Sequence, residues 1–239
     1  MFGFRKKKKP TRPLCGAVIA AAGSSVRMGE DKILLSLGEE PVLIHAVRPF
    51  QASAQISEVV IVTRQELIVP VAQLCKDSGL DKVSKVVAGG ASRTESVRLG
   101  ILELTGDPEL IAIHDGARPF VTEEIIRQTI EAAERYGAAA PAVPLTDTIK
   151  ELDDDGLAVR TVDRERLRAV QTPQIFQEGL IRAALQKALE DGAAITDDCA
   201  AVERLGMKVM LTAGSGENIK LTTPADIPAA EAILEARQG

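Results

Sequence analysis

The chain has 239 residues, of which 45% are hydrophobic and 26% charged, a balance typical of soluble globular proteins and long enough to bury a core without staples. Six basic residues and no acid lie in "MFGFRKKKKPTR", leaving 23 basic against 34 acidic side chains elsewhere, a net of −11; an acidic body argues against a nucleic-acid surface. Three cysteines without paired or metal-like spacing suit a reducing cytoplasm, and no apolar run is long enough to span a bilayer.

The basic head, residues 1–13, lacks the apolar segment of a signal peptide and reads as a disordered, solvated tail. Residues 14–239 then alternate short apolar runs with helical patterns. "CGAVIA" (Cys15 to Ala20), "EVVIVT" (Glu58 to Thr63), "KVVAG" (Lys85 to Gly89), "LIAIHD" (Leu110 to Asp115) and "AAAPAVP" (Ala138 to Pro144) read as strands. They lack polar alternation, as strands covered on both faces do. Helices are expected at Val42 to Ala52, Leu67 to Ser78, Arg93 to Leu104 and Glu123 to Tyr136. The fold class is α/β, a Rossmann-like, mostly parallel sheet flanked by helices. From Leu145 the rhythm breaks. "TIKEL" and "LAVRTV" flank the turn signal "DDDG" and read as a projecting β-hairpin, part of an arm at about 146–171. Leu157, Val159 and Val162 would leave this arm with apolar surface that a second subunit could cover. Helical patterns return at Glu178 to Leu189 and Thr196 to Leu205, followed by the strand "KVMLT" and a helix from Pro224. Neither an internal repeat nor an interdomain linker is visible, so the body reads as one domain with an arm.

Three stretches carry chemistry, each at a strand end or in a loop, where ligands of open α/β sheets bind. The first is "AAAGSSVRMGEDK", Ala20 to Lys32. Gly23 allows a tight turn whose N–H groups can cradle an anion, and Arg27 and Lys32 add two cations suited to a triphosphate. It matches neither the Walker nor the dinucleotide pattern, and an ordinary strand-to-helix loop with solvated charges would look much the same. The second is "HDGARPF". Asp115, ending an apolar strand, suits a hard cation such as Mg²⁺ shared with phosphate oxygens. His114 reads as packed or hydrogen-bonded rather than metal-ligating, and Arg118 pairs either with phosphate or with Asp115. The third is "GENIKLTTPADI". Lys220 either meets an anion or pairs with Asp226 or Glu217.

These pieces, with "VAGGASRTESV", "PLTDTIK", "TVDRERLRAVQTPQIF" and "AITDDCAAVERLG", resemble the cytidylyltransferases of the non-mevalonate isoprenoid pathway, which act on 2-C-methyl-D-erythritol 4-phosphate. The resemblance runs from about residue 16 to residue 235. It implies a reaction of CTP with that sugar-alcohol phosphate, giving a CDP-linked product and pyrophosphate without a covalent enzyme intermediate. By the family pattern Arg27, Lys32 and Lys220 are catalytic. Ala21, Ala22, Gly23, Gly90 and Ser96 hold the nucleotide, and Asp115, Arg118, Thr148, Arg164, Thr172 and Thr196 serve the substrate. Asp115 also holds Mg²⁺, and the arm crosses to a partner so that Arg164 serves the neighbour's site in a homodimer. Departures are Val26 in place of a basic residue, a short "GED" before Lys32, and Ala91 where relatives carry an acid, which leaves a backbone contact there. Ribitol-5-phosphate cytidylyltransferases share the first loop, "HD-x-x-RPF" and "QTPQ", but "TVDR" and "TDDCAAVERLG" favour the erythritol enzymes. An inactive nucleotide-binding subunit on the same fold would be expected to have lost the cations or Asp115.

Overall fold

A computed structural model describes residues 15–23 and 31–238. The basic tail, Val26 and Arg27 lie outside the described residues. One sheet organises the chain. Strands β1 (Cys15–Ala20), β4 (Ile56–Thr63), β5 (Val83–Ala88) and β6 (Leu110–Asp115) are parallel neighbours in the order β6-β1-β4-β5. Beyond β6 lie β11 (Gln174–Gln177), β7 (Ala138–Pro144) and β10 (Arg168–Val170). β11 runs antiparallel to both β6 and β7, β10 runs antiparallel to β7, and β12 (Met210–Ala213) pairs with β7 in parallel. The sheet is therefore mostly parallel, as expected. The two antiparallel strands are the part that the sequence pattern does not announce.

Period-two alternation sorts each strand between two cores. Ala17 and Ile19 of β1, with Leu110 and Ala112 of β6, pack under α1 (Val42–Ala52), α2 (Ile68–Asp77) and α4 (Glu123–Tyr136). Val18, Ile111 and Ile113 face the opposite layer, α3 (Arg93–Leu102), α5 (Glu178–Glu190) and α6 (Asp198–Arg204). Both faces are covered, which accounts for the unbroken apolar strands. A third, smaller cluster of Leu37, Val42, Phe120, Leu221 and Ala230 seats α7 (Asp226–Gln238) beside a short hairpin of β2 (Ser36–Leu37) and β3 (Glu40–Pro41).

Caps explain most boundaries. Thr122 accepts the Ile125 N–H at the start of α4, and Gly137, at φ 83°, ends it in the left-handed region. Two expected starts shift for the same reason. Asp197 caps α6 through the Ala200 N–H, so Thr196 stays outside the helix. The Asp226 carboxylate accepts the N–H groups of Thr222 and Thr223 at 2.7 and 2.9 Å, holding Pro224 in a turn ahead of α7. The projecting hairpin consists of β8 (Ile149–Leu152) and β9 (Ala158–Val162), which among the described residues pair only with each other. Arg168–Val170 has already rejoined the main sheet, so the hairpin itself is narrower than the 146–171 arm.

Candidate active site

The carboxyl ends of β1, β5 and β6 open into a cleft of about 380 Å³. One wall is the loop after β1, with Ala21, Ala22 and Gly23. The facing wall is the turn from Gly90 into α3, including Ser92, Arg93 and Ser96. Lys32, Asp115 and Lys220 complete the lining. The shortened "GED" spacing therefore still delivers Lys32 to the cleft. Arg27 lies outside the described residues.

The walls meet through glycines. A Cβ on Gly89 would lie 2.6 Å from Ala22 Cβ, and one on Gly90 would lie 2.4 Å from the Glu95 side chain. Only a residue without a side chain permits this approach. The turn is then tied down. Ser92 caps α3 by accepting the Glu95 N–H at 3.1 Å, and the Glu95 carboxylate accepts the Ala91 N–H at 2.7 Å, a variant of the capping box. Ser96 Oγ accepts the Gly90 N–H at 3.0 Å and donates to the Ser92 carbonyl at 2.8 Å. The Ala91 backbone is thus engaged by Glu95.

Asp115 is the centre of charge. Lys220 Nζ lies 2.8 Å from Oδ2, Arg93 Nη2 3.4 Å from Oδ1, and Arg118 Nε 3.6 Å from Oδ2. Burial alone would raise its pKa, but Arg93, Lys220 and Arg118 hold the carboxyl well below the usual carboxylate range. Of the options open for Lys220, the structure selects this anion. Asp226 is taken by the Thr222 and Thr223 amides, and Glu217 by Arg237 at 2.8 Å. Lys220 is placed by its neighbour: Leu221 is buried in the third cluster and its N–H donates to the Ala117 carbonyl at 2.8 Å. Arg118 donates to the Asn218 carbonyl at 2.7 Å, a second tie between the two segments.

Beneath Asp115 the hydrogen-bond directions are fixed by chemistry. The Arg118 carbonyl can only accept, so His114 Nε2, 3.2 Å away, carries its proton. Nδ1 of the neutral ring must then accept, and the Thr172 hydroxyl at 2.9 Å donates to it. Thr172 Oγ1 in turn accepts the Asp115 N–H at 3.1 Å. Burial pushes the His114 pKa down to about 4, so the ring is neutral near pH 7. Asn218 Nδ2 donates to the Thr172 carbonyl at 3.0 Å and joins the third stretch to the same unit. His114 is hydrogen-bonded, as its sequence setting suggests, and Thr172 lies under the cleft rather than in its lining.

Arg93 and Asp198 escaped sequence reasoning. Arg93 Nη2 lies 2.8 Å from Asp198 Oδ2, and Asp198 is completely buried. Burial raises the Asp198 pKa despite that partner. No spacing rule joins a helix-start arginine to an aspartate more than a hundred residues later. Thr196 is exposed just ahead of the α6 cap. Thr148 and Arg164 are exposed at the base of the hairpin, outside the cleft lining, where Arg164 donates to the Thr146 carbonyl. The structure thus gathers Ala21, Ala22, Gly23, Lys32, Gly90, Ser96, Asp115 and Lys220 in the cleft lining, with Arg118 at Asp115. It leaves the arm residues apart from them.

A glycine-lined cleft at the carboxyl ends of a mostly parallel sheet, with lysines and arginines grouped around one carboxylate, defines a nucleotide-handling α/β protein of the phosphoryl-transfer type. The sequence profile of the 2-C-methyl-D-erythritol 4-phosphate cytidylyltransferase family matches residues 15–236, and the chain belongs to that family. It is 45% identical over 225 residues to the enzyme so named from Caldanaerobacter subterraneus subsp. tengcongensis, covering 91% of this chain and 97% of the relative. The Desulforamulus reducens enzyme of that name is also 45% identical, with 92% and 96% covered. Among solved structures, the 4-diphosphocytidyl-2C-methyl-D-erythritol synthase of Anaerococcus prevotii superposes with a TM-score of 0.84 at 31% identity, covering 94% of this chain and 100% of that one. The Thermus thermophilus 2-C-methyl-D-erythritol 4-phosphate cytidylyltransferase gives 0.75 at 32% identity, covering 91% and 98%.

Proposed function

We infer that the chain transfers CMP from CTP to 2-C-methyl-D-erythritol 4-phosphate, releasing pyrophosphate, as a step of isoprenoid precursor biosynthesis. The observation that carries the reading is the cation set around Asp115, built into a glycine-walled cleft with Lys32. A phosphate oxygen of the sugar alcohol attacks the α-phosphorus of CTP. The new P–O bond forms as the bond to the bridging α–β oxygen breaks, and pyrophosphate departs with that electron pair. The attacking phosphate is already ionised, so no general base is needed. The protein's task is to neutralise two converging anions and hold them in line. Lys32 and Lys220 supply charge beside the triphosphate, and Arg27 would join them from the loop outside the described residues. The glycine-walled side takes the cytidine.

Asp115 suits Mg²⁺ only as part of a nucleotide complex. It is the sole carboxylate lining the cleft among the described residues, which hold no cluster of three metal-ligating side chains. Mg²⁺ accepts one such carboxylate plus phosphate oxygens, and when bound it neutralises phosphate charge. Asp115 would hold it beside the triphosphate, with Lys220 next to it.

The arm supports a homodimer. Leu152, Leu157 and Val159 are more than half exposed on a two-stranded hairpin that joins no other sheet among the described residues. A lone hairpin is marginal in water, and a partner subunit would cover these residues and receive Arg164 at its cleft. A reaction among soluble phosphates and three buried free thiols fit the cytoplasm. No helix among the described residues is long and apolar enough to cross a membrane.

The test is pyrophosphate release with CTP, UTP or ATP against 2-C-methyl-D-erythritol 4-phosphate or ribitol 5-phosphate. Turnover is expected with CTP and the erythritol phosphate. Turnover of ribitol phosphate alone, or CTP binding without any turnover, overturns the reading.

A further inference from the structure

Arg93 holds more hydrogen-bonding capacity than the protein uses. It is the first residue of α3 and lines the cleft with about a third of its side chain exposed. A guanidinium offers five N–H groups. Both of its carboxylate contacts, to Asp198 at 2.8 Å and to Asp115 at 3.4 Å, pass through Nη2. Nε and Nη1 have no protein partner among the described residues, and neither is a buried orphan.

Asp198 explains why the guanidinium stays where it is. Its side chain has no exposure, and Arg93 is its one ion-pair partner among the described residues. A buried carboxylate is costly to keep without a cation, and removing the cation is costlier than removing both. The segment carrying it is rigid. Gln174 Oε1 accepts the N–H groups of Asp198 and Cys199 at 3.0 and 2.9 Å, and Gln174 Nε2 donates to Asp197 at 2.7 Å. One edge of Arg93 is therefore pinned to a fixed anion, while the residue stays part of the cleft lining with about a third of its side chain exposed.

The charge count agrees. Arg93, Arg118 and Lys220 face Asp115 and Asp198, three cations against two anions, with Lys32 also in the lining. The surplus is positive, and arginine recognises phosphate through directed N–H pairs as well as charge.

We propose that Arg93, anchored by the buried Asp198, is a phosphate-contacting residue whose unused N–H groups grip a phosphoryl group of a ligand in this cleft. The assignment rests on the transferase reading, in which that group belongs either to the nucleotide or to the sugar-alcohol phosphate. Binding measurements separate these sources without requiring turnover. Titration calorimetry on the full chain with cytidine, CMP, CTP, pyrophosphate and 2-C-methyl-D-erythritol 4-phosphate would compare the wild type with Arg93→Gln, Arg93→Lys and Asp198→Asn. Arg93→Gln is expected to weaken at least one phosphate ligand tenfold or more and to leave cytidine within twofold. The ligand that weakens names the phosphate. Arg93→Lys, which keeps the charge opposite Asp198 but not the fork, should lose several-fold on the same ligand, and Asp198→Asn a similar amount. Phosphate ligands bound within twofold of wild type by a folded Arg93→Gln, or by Arg93→Lys if the glutamine variant does not fold, would overturn the proposal. Arg93 would then be only the counter-ion of Asp198. Wild-type protein that binds these ligands without turning them over would overturn the transferase reading and leave this assignment standing.

Discussion

The cleft and the arm use the same residue types to opposite effect. In the cleft, Arg93 and Lys220 meet Asp115 and Asp198, whose side chains are 10% and 0% exposed. On the hairpin, Arg160 meets Glu151 with 68% and 47% of their side chains in solvent. Water screens the second pair to between 0 and about 1 kcal/mol, whereas the first set cannot lose a member without leaving a buried charge unmatched. The cleft can hold its own geometry within one chain. The hairpin leaves Leu152, Leu157 and Val159 exposed.

The largest expected effect tests the first half of that contrast. Lys220→Ala removes the nearest cation of Asp115, and turnover should fall on the order of 10²–10³-fold, as for other groups aimed at developing charge. Steady-state kinetics with both substrates would show a smaller change in the KM for CTP; unaltered turnover would take Lys220 out of the transition state. Next comes acidity. His114 in the folded protein titrates near 4, below its ordinary value of 6.5. The unfolded chain therefore binds the extra proton first, and stability present above pH 6.5 should drain away between pH 6.5 and 4, by about 3 kcal/mol. Asp115, held well below the carboxylate range, loses its contribution only at still lower pH. Denaturant titrations across this range would find the upper part of the slope flattened in His114→Gln; the same slope in both proteins would contradict the neutral-ring network.

The smallest effect sharpens the second half. Arg164→Ala should raise the KM for the sugar-alcohol phosphate roughly tenfold, the scale of one charged contact at about 1.4 kcal/mol, with little change for CTP. Equal changes for both substrates would remove Arg164 from the phosphate. If the arm serves a neighbour, mixing Arg164→Ala with Lys220→Ala should recover activity in heterodimers.

The sequence was most legible where one local signal ruled. β1, β6, β7, α1 and α4 begin and end where the apolar runs and helical patterns suggest. β10 and β11 lie in "RAVQTPQIF", where no strand is expected and whose first residues count in the arm; β11 is a strand because β6 and β7 offer it edges on both sides. The site divided in the same way. Asp115 stood out at the end of a buried strand, and the Gly90 turn lay in a stretch shared with the family. The partner of Lys220 was not visible, because Asp226 and Glu217 sit closer in sequence and only the fold shows them engaged elsewhere. Arg93 had no local signal at all, since its two anions come from β6 and α6.

The tie between Leu221 and Ala117 also sets a calendar for the molecule. Every strand of the sheet among the described residues is complete by Ala213, yet Lys220, the nearest of the three cations at Asp115, is still to come. A ribosome delivers the chain from its N-terminus, and domains fold as they emerge. The sheet can therefore assemble around an aspartate short of one counter-charge, and the cleft lining gains Lys220 only when residues 216–222 dock. A nascent chain stalled after β12 would lack Lys220 and, with Leu221 and Ala230, part of the third core cluster.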